Sequence, residues 1–177
     1  MKRTLLCLTA GVAFSLTGWS TDDARMNAQS AQGPASLQQV IASAVRDTNG
    51  DNHPDTVAAR VVLPAVPAAE EIEGASNNAG RLAFETTALS LPIVVRATEV
   101  TRAAAIELPI LVGRENPLVV KAAAQNTIAL GGLKPGQGLI AVAPNALGGP
   151  DGLVVAGGDA AGTLAAANYL AARLPRL

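Results

Sequence analysis

The sequence is poor in aromatic residues and has no surplus of basic ones. Aromatic side chains make up 2% of the 177 residues, whereas hydrophobic residues of all kinds make up 49%. The core must therefore be built from Ala, Val, Leu and Ile, and few rings are available to stack against sugars or bases. The formal net charge is −1, so nucleic acid is not an expected partner.

Reactive side chains are equally scarce. The chain has one cysteine, Cys7, and one histidine, His53. A single histidine in an Asp-rich segment cannot easily serve a Ser-His-Asp arrangement elsewhere, and there is no HExxH pattern or cysteine cluster for zinc. Carboxylate chemistry of the glycosidase type stays open for Glu85, Glu107 and Glu115, although a solvated or ion-paired role explains each of them more simply. We predict no catalytic residues, which leans against an enzyme without excluding one.

The N-terminal residues have the pattern of a secretory signal peptide. Basic residues at positions 2 and 3 precede the apolar run Leu5–Leu16, which is too short to span a bilayer comfortably, and small residues follow. We expect a signal peptide over residues 1–20, with cleavage sites extending to residue 30, and a disordered linker over residues 21–35. The mature protein would be secreted or periplasmic and would have no membrane span. An uncleaved membrane anchor is the alternative.

The most specific local pattern is the Asp-rich segment DTNGDNHPD at residues 47–55. Its oxygen-bearing side chains fall at positions 1, 3, 5 and 9, as in the first part of an EF-hand-type calcium loop, in which position 7 supplies a backbone carbonyl. The expected ion is calcium, and the predicted ligands are Asp47, Asn49, Asp51, His53 and Asp55. The pattern departs from a full EF-hand at Asn52, where glycine is usual, and at Ala58, where a bidentate glutamate is usual. The alternative is a series of tight turns, which Asp, Asn and Gly favour by themselves.

The rest of the chain alternates short apolar runs with segments of helix length. We predict strands over Thr56–Leu63, Thr86–Val95, Leu108–Gly113, Leu139–Ala143 and Leu153–Ala156, and helices over Ser36–Val45, Ala68–Ala83, Pro117–Gln125 and Asp159–Leu174. From residue 56 the order is β-α-β-β-α-β-β-α, which predicts an α/β sandwich with a mostly parallel or mixed sheet covered by helices. Residues 36–55 would form a short helix and the Asp-rich loop, and residues 56–177 the α/β domain.

Details within these elements give further expectations. Pro92 indicates an edge strand or a bulge. The second helix is expected to bury one face, formed by Ala69, Ile72, Ala75, Ala79 and Leu82. Asn116 is expected to cap the third helix, with Pro117 at its first position.

Two strand-to-helix joints invite a ligand interpretation. The segment GGDAAG at residues 157–162 is not a GxGxxG pattern, and Asp159 would place a negative charge where a phosphate should lie. A glycine turn followed by an Asp159 helix cap is therefore favoured. Arg114, at the joint before Asn116, is a candidate for contact with an anion or a carboxylate, and a solvated arginine is the simpler alternative.

The pattern LPILVGRENP, then GLIAVAPN, then GLVVAGGDAAGTLAAANYLAARL resembles small α/β accessory domains of carbohydrate-handling proteins. It is similar to the N-terminal domain of α-glucuronidases and β-N-acetylhexosaminidases, and to flavodoxin-like units of the cellulose-synthase regulatory subunit. The resemblance covers about residues 108–174 and implies a module that carries no catalytic residues. The Asp-rich segment resembles the short calcium loops of dockerins, thrombospondin type 3 repeats and secreted integrin-like repeats.

These observations together predict an exported, non-catalytic α/β module for scaffolding or interaction. We expect it to be the N-terminal accessory part of a larger secreted or cell-envelope protein that handles glycans. Its partners would be another protein or a downstream domain of the same polypeptide, with a glycan as a further candidate. The alternatives are a small secreted hydrolase that acts on glycans or peptides through carboxylates, and a calcium-dependent adhesion module.

Overall fold

The computed structural model describes residues 36–100 and 106–175. The predicted signal peptide and the predicted linker lie outside the described residues. Four helices are described: α1 Leu37–Ala42, α2 Ala69–Phe84, α3 Pro117–Ala124 and α4 Ala160–Ala171. The strands are β1 Val45–Arg46, β2 Thr56–Val57, β3 Ala59–Leu63, β4 Val94–Arg96, β5 Leu108–Val112, β6 Gly138–Ala143 and β7 Gly152–Gly157, with a 3-10 turn at Ala97–Glu99 after β4.

Five of these strands form one mixed sheet in the order β4-β3-β5-β7-β6. The first four strands are parallel to one another, and β6 runs antiparallel to β7. The remaining two, β1 and β2, form a separate antiparallel hairpin whose tip is the Asp-rich segment. From β3 onward the element order is the predicted β-α-β-β-α-β-β-α, and the α/β sandwich with a mixed sheet is confirmed.

Helices cover both faces of the sheet. Alternate residues of the central strands point to opposite sides, so that Val61 and Ile110 contact one core cluster and Val62 and Leu111 contact the other. The first cluster lies under α1, α2 and α4, and the second lies under α3 and the loops that flank it. This arrangement explains why the central strands are apolar at nearly every position.

The packing of α2 against α4 depends on small residues. A Cβ added to Gly74 would lie 2.6 Å from the Cβ of Ala167, so only glycine permits this approach. Asn78 is fully buried beside it, and its amide donates hydrogen bonds to the carbonyls of Gly74 and Ala167. The predicted buried face of α2 was therefore partly wrong. Ile72 is 49% exposed, because the close contact with α4 is made by the neighbouring face, which carries Gly74 and Asn78.

The helix starts follow their local signals. The Ser36 hydroxyl accepts from the Gln39 N–H, and the Gln39 side chain accepts from the Ser36 N–H, which makes a complete capping box for α1. Asn116 caps α3 with Pro117 at the first helical position, and Asp159 caps α4, as predicted.

Two predicted strands differ from those observed. The run Thr56–Leu63 is divided at Ala58 between β2 and β3, because the Ala58 N–H donates to the carbonyl of Ala44 and the chain changes sheet there. The run Thr86–Val95 is a loop up to residue 93, and its two threonines hydrogen bond to the carbonyl of Pro54. Only Val94–Arg96 pairs, as an edge strand next to β3, so the edge position is confirmed while the length was wrong.

Candidate functional site

The predicted calcium ligands lie at the exposed tip of the β1–β2 hairpin. The Asp47 carboxylate accepts from the N–H groups of Gly50 and Asn52, each at 2.7 Å. The Asp51 carboxylate accepts from the His53 N–H at 2.8 Å and from the Asn49 side chain at 3.0 Å. Each carboxylate therefore closes a turn of its own segment.

Asp55 holds the two ends of this loop together. Its carboxylate accepts from both the N–H and the hydroxyl of Thr48, at 3.0 and 2.9 Å. These hydrogen bonds from Thr48, the side-chain bond foremost, lower the pKa of Asp55. Across residues 36–100 and 106–175, no group of three or more His, Cys, Asp or Glu side chains is arranged to hold a metal ion. Calcium binding stays a prediction.

The three candidate catalytic carboxylates are not gathered into one site. Glu85 forms an ion pair with Arg81 at 2.5 Å, and Glu107 forms one with Arg46 at 2.6 Å. Glu107 precedes β5 and Glu115 follows it, so these two lie at opposite ends of the strand. The ion-paired interpretation is confirmed for Glu85 and Glu107.

A cleft of about 280 Å³ lies where β3, β5 and β7 end. We call it the carboxyl-end cleft; its polar lining includes Glu71, Arg114, Glu115, Asp159 and Thr163. The carboxyl ends of parallel strands are where α/β proteins usually place ligand sites, above all where neighbouring strands connect in opposite directions. Here β3 connects to β4 on one side of the sheet, whereas β5 connects onward to β6 and β7 on the other side. The connections therefore diverge between β3 and β5, and the cleft lies at the carboxyl ends of these strands.

Glu71 is the least expected residue of this cleft. It lies in the first turn of α2, is only 7% exposed, and accepts a hydrogen bond from the Ala68 N–H at 2.9 Å. Burial raises the pKa of Glu71, and the negative charges of Glu115 and Glu70 raise it further. The one sequence signal for this role was a glutamate three residues after the cap position Ala68, which is half of a capping box.

Asn116, the buried residue after Glu115, ties together two central strands of the sheet. Its side-chain oxygen accepts from the Leu118 N–H at 3.1 Å, and its amide donates to the carbonyls of Val62 at 2.8 Å and of Val112 at 3.2 Å. The predicted cap is thus also a bridge between the ends of β3 and β5. The partner in β3 is 54 residues away, and no local pattern shows it.

Two residues that were singled out in the sequence, Asp159 and Arg114, do line the cleft and have different roles. The Asp159 carboxylate accepts from the N–H groups of Gly136 and Gly162, at 2.9 and 2.8 Å, and these bonds lower its pKa. The cap interpretation of the GGDAAG segment is therefore confirmed, with an added tie to the loop before β6. Arg114 is exposed, and in the described part of the chain it forms no salt bridge, unlike Arg46 and Arg81.

A second concave surface is apolar and lies beside β6. It encloses about 410 Å³ between α1, β6 and α4. We call it the β6 groove; it is lined by Leu37, Gly138, Ile140, Ala165, Ala166 and Tyr169. Tyr169 is 52% exposed at its rim. Apolar surface that is open in this way is typical of contact sites rather than of polar catalytic sites.

The described helices are too short or too polar to cross a membrane. In comparisons with known proteins, the model of the S-layer like family, outer domain, matches residues 17–174. A search of curated proteins gives no match. The family match implies an extracellular or cell-surface location and contacts with other cell-envelope proteins. Because it spans nearly the whole sequence, the chain belongs to the S-layer like family as an outer domain.

Proposed function

We propose that the chain is an exported, non-catalytic interaction module of the cell envelope, which works by contacting other proteins. The family match over residues 17–174 carries this proposal. The β6 groove supports it, because the groove offers apolar contact surface at an edge of the sheet. The ion pairs of Glu85 and Glu107 weigh against the hydrolase alternative, since both carboxylates already have partners.

The finer parts of the sequence-based hypothesis remain proposals as well. Glycan contact would fall on the exposed rings of Phe84 and Tyr169, because stacking on sugars needs an accessible aromatic face. Each ring already has an arginine over it, Arg81 and Arg173 respectively, and a sugar would compete with that contact. Protein contact is therefore the primary proposal, and the resemblance to carbohydrate-related accessory domains is secondary to it.

The location is tested by fractionating cells that produce the chain. Intact cells are probed with an antibody against the folded protein, and the mass of the recovered chain is measured. We expect the antibody to label intact cells and the mass to show loss of about 20 to 30 N-terminal residues, as for a cleaved signal peptide. Secreted and periplasmic locations are separated by comparing labelling before and after the outer layers are opened.

A matched control starts the chain at Thr21, which removes the predicted signal peptide. This control should stay in the cytoplasm and leave intact cells unlabelled. If the full chain also stays in the cytoplasm with its N-terminus intact, the proposed function is wrong. If the exported chain cleaves a glycan or a peptide, and the Glu115→Gln variant does not, the hydrolase alternative replaces it.

A further inference from the structure

The two edges of the five-stranded sheet differ in how well they are protected. At one edge β4 has only three residues, it ends in the charged Arg96, and the Arg96 N–H is bonded to the Glu99 carboxylate at 3.0 Å. Short strands and charged ends are the usual devices that prevent pairing between sheet edges. These features disfavour the pairing of another strand at this edge.

The other edge has none of these devices. Strand β6, with the sequence GLIAVA, has six residues without a charge or a proline. Among the described residues it pairs with β7 alone, in an unbroken antiparallel register from Gly138 to Ala143. In such a register alternate residues direct their N–H and C=O groups away from the partner. Its outer side thus has a row of backbone groups that can pair with another strand.

We propose that β6 pairs with the β6 strand of a second copy of this chain, antiparallel and about a two-fold axis. This pairing would be one way in which the chain contacts other proteins, and it rests on the proposed function only for the location of the chain in the cell envelope. It would join two five-stranded sheets into one continuous sheet, with the β6 grooves of both copies on the same side. The contact would be isologous, so that each copy uses the same residues.

The charge distribution favours a second copy as the occupant. The strand β6, the lining of the β6 groove and the neighbouring helix α1 (LQQVIA) have no carboxylate, ammonium or guanidinium group. Arg173 lies over the Tyr169 ring at the rim of the groove, outside the strand. The strand β6 itself can face its own copy without bringing like charges together, which would otherwise oppose the contact. Its aliphatic side chains are also those that pair well across strands.

The symmetry restricts the register. In an antiparallel pair with a two-fold axis, hydrogen-bonded and non-hydrogen-bonded positions must each map onto positions of the same type. One residue must then lie opposite its own copy. Two registers keep nearly the whole strand paired. In one, Ile140 lies opposite its own copy and Gly138 lies opposite Val142; in the other, Ala141 lies opposite its own copy and Leu139 lies opposite Ala143. The contact is small beside the roughly 1,200 to 2,000 Å² of a standard interface, so we expect association in the micromolar to millimolar range.

Sedimentation velocity of the exported chain, from micromolar to near-millimolar concentration, tests the association. We expect the sedimentation coefficient to rise with concentration for the native chain. The variant Ala141→Lys should weaken association by roughly tenfold or more. Opposite residues of a strand pair lie within about 5 Å of each other, so the new ammonium group would either lose its hydration or face the ammonium group of the second copy. Val95→Lys is the matched control, since Val95 is a partly buried position on the β4 edge that packs against the same core cluster as Ala141.

Cysteine cross-linking keeps the proposal testable if a lysine variant fails to fold. With Cys7 in the predicted signal peptide, the mature chain would have no cysteine of its own. Under mild oxidation Ile140→Cys or Ala141→Cys should give several-fold more disulfide-linked dimer than Val95→Cys. A native chain that stays monomeric at all concentrations, or dimer yields at both positions no higher than that of Val95→Cys, would overturn the proposal. A monomeric chain that still labels intact cells would leave the proposed function standing.

Discussion

The carboxyl-end cleft and the β6 groove lie on the same sheet, but they differ in whether their hydrogen-bonding groups already have partners within the chain. In the cleft, the side chains of Glu71 and Asp159 are hydrogen-bonded to the backbone of the chain itself, and so is the buried side chain of Asn116, which follows the lining residue Glu115. In the groove, the lining is apolar, and the outer backbone groups of β6 have no strand beside them among the described residues. The polar side chains at the carboxyl ends of the strands, where α/β proteins usually bind ligands, thus stabilise the fold. The exposed contact surface lies instead at the β6 edge of the sheet. Changes in the cleft should reduce stability, and changes in the groove should reduce association.

The largest effect is expected at Asn116. Asn116→Ala removes the α3 cap and leaves the carbonyls of Val62 and Val112 without this donor. We expect the free energy of unfolding to fall by about 2–4 kcal/mol, measured by urea denaturation. The folded variant should associate as the native chain does.

Asn77→Ala is the control for this change, because Asn77 is exposed on α2 and its side chain donates to the side chain of the exposed Asn168. It should change stability by less than about 0.5 kcal/mol. An equal effect of the two substitutions would show that Asn116 does not bridge the strands.

The next effect is expected at Gly113, which directly follows β5 and packs against Glu71. Its φ of +95° is unfavourable for other residues, and an added Cβ would lie 2.8 Å from the carboxyl carbon of Glu71. Gly113→Ala should therefore cost about 2–3 kcal/mol of unfolding free energy, the sum of backbone strain and the clash. The strain alone is measured by Gly148→Ala, where φ is +80° and an added Cβ meets nothing within 4 Å.

Gly148→Ala should cost about 1 kcal/mol. Gly131→Ala, which has an open site and no positive φ, should cost nothing or stabilise slightly. If Gly113→Ala and Gly148→Ala have equal costs, Glu71 does not pack against Gly113 as described.

The Asp-rich hairpin gives a test that is independent of both surfaces. If it binds calcium with the 10⁻⁴ to 10⁻³ M dissociation constants of extracellular modules, 10 mM calcium should stabilise the chain by about 1.4–2.7 kcal/mol. Thermal unfolding with calcium, and with magnesium as the control, measures this, and Asp55→Asn should reduce the effect. If calcium produces neither heat in a titration nor a change in melting temperature, the carboxylates serve only the turns that they close.

The smallest effect is expected from the charge of Glu71. Its folded-state pKa is raised, so its contribution to stability is present below the unfolded pKa and is lost as pH rises through the folded pKa. Glu71→Gln keeps an acceptor for the Ala68 N–H without the charge. Relative to the native chain, this variant should gain stability as pH rises from about 3.5 to 7.

Urea denaturation at several pH values measures this trend. Glu73→Gln, at an exposed position of the same helix, corrects for the loss of one negative charge. Glu115 and Glu70 face the same carboxylate, and both remain in the variant and in the control. A difference that does not vary with pH would mean that Glu71 is not held in a desolvated position.

The sequence predicted those parts of the fold that depend on neighbouring residues. The caps at Ser36, Asn116 and Asp159 and the order of strands and helices could be predicted because each depends on local chemistry or on hydrophobic periodicity. The strand predicted over Thr86–Val95 was wrong for most of its length, because β-branched residues alone do not supply a partner strand and only the end of this segment has one. The exposure of Ile72 depends on how closely α4 approaches Gly74, which is a tertiary property.

Neither surface could be predicted as a site from the sequence. Glu71, Asn116 and Asp159 are widely separated in the chain, and only the parallel arrangement of β3, β5 and β7 brings them to one end of the sheet. Strand β6 was predicted, but its place at the edge follows from the order of the strands. Residues 47–55 were predicted as a ligand site or a run of turns, and the observed hydrogen bonds agree with the turns without testing calcium.

The most direct test of the account is cross-linking on the surface of intact cells. Cells that export Ile140→Cys, Ala141→Cys or Val95→Cys are treated with an oxidant that does not enter them, and the chains are separated without reducing agent. The account predicts a dimer band for at least one of the two β6 variants and little or none for Val95→Cys. A chain that is present on the cell surface but stays monomeric in both β6 variants would contradict it.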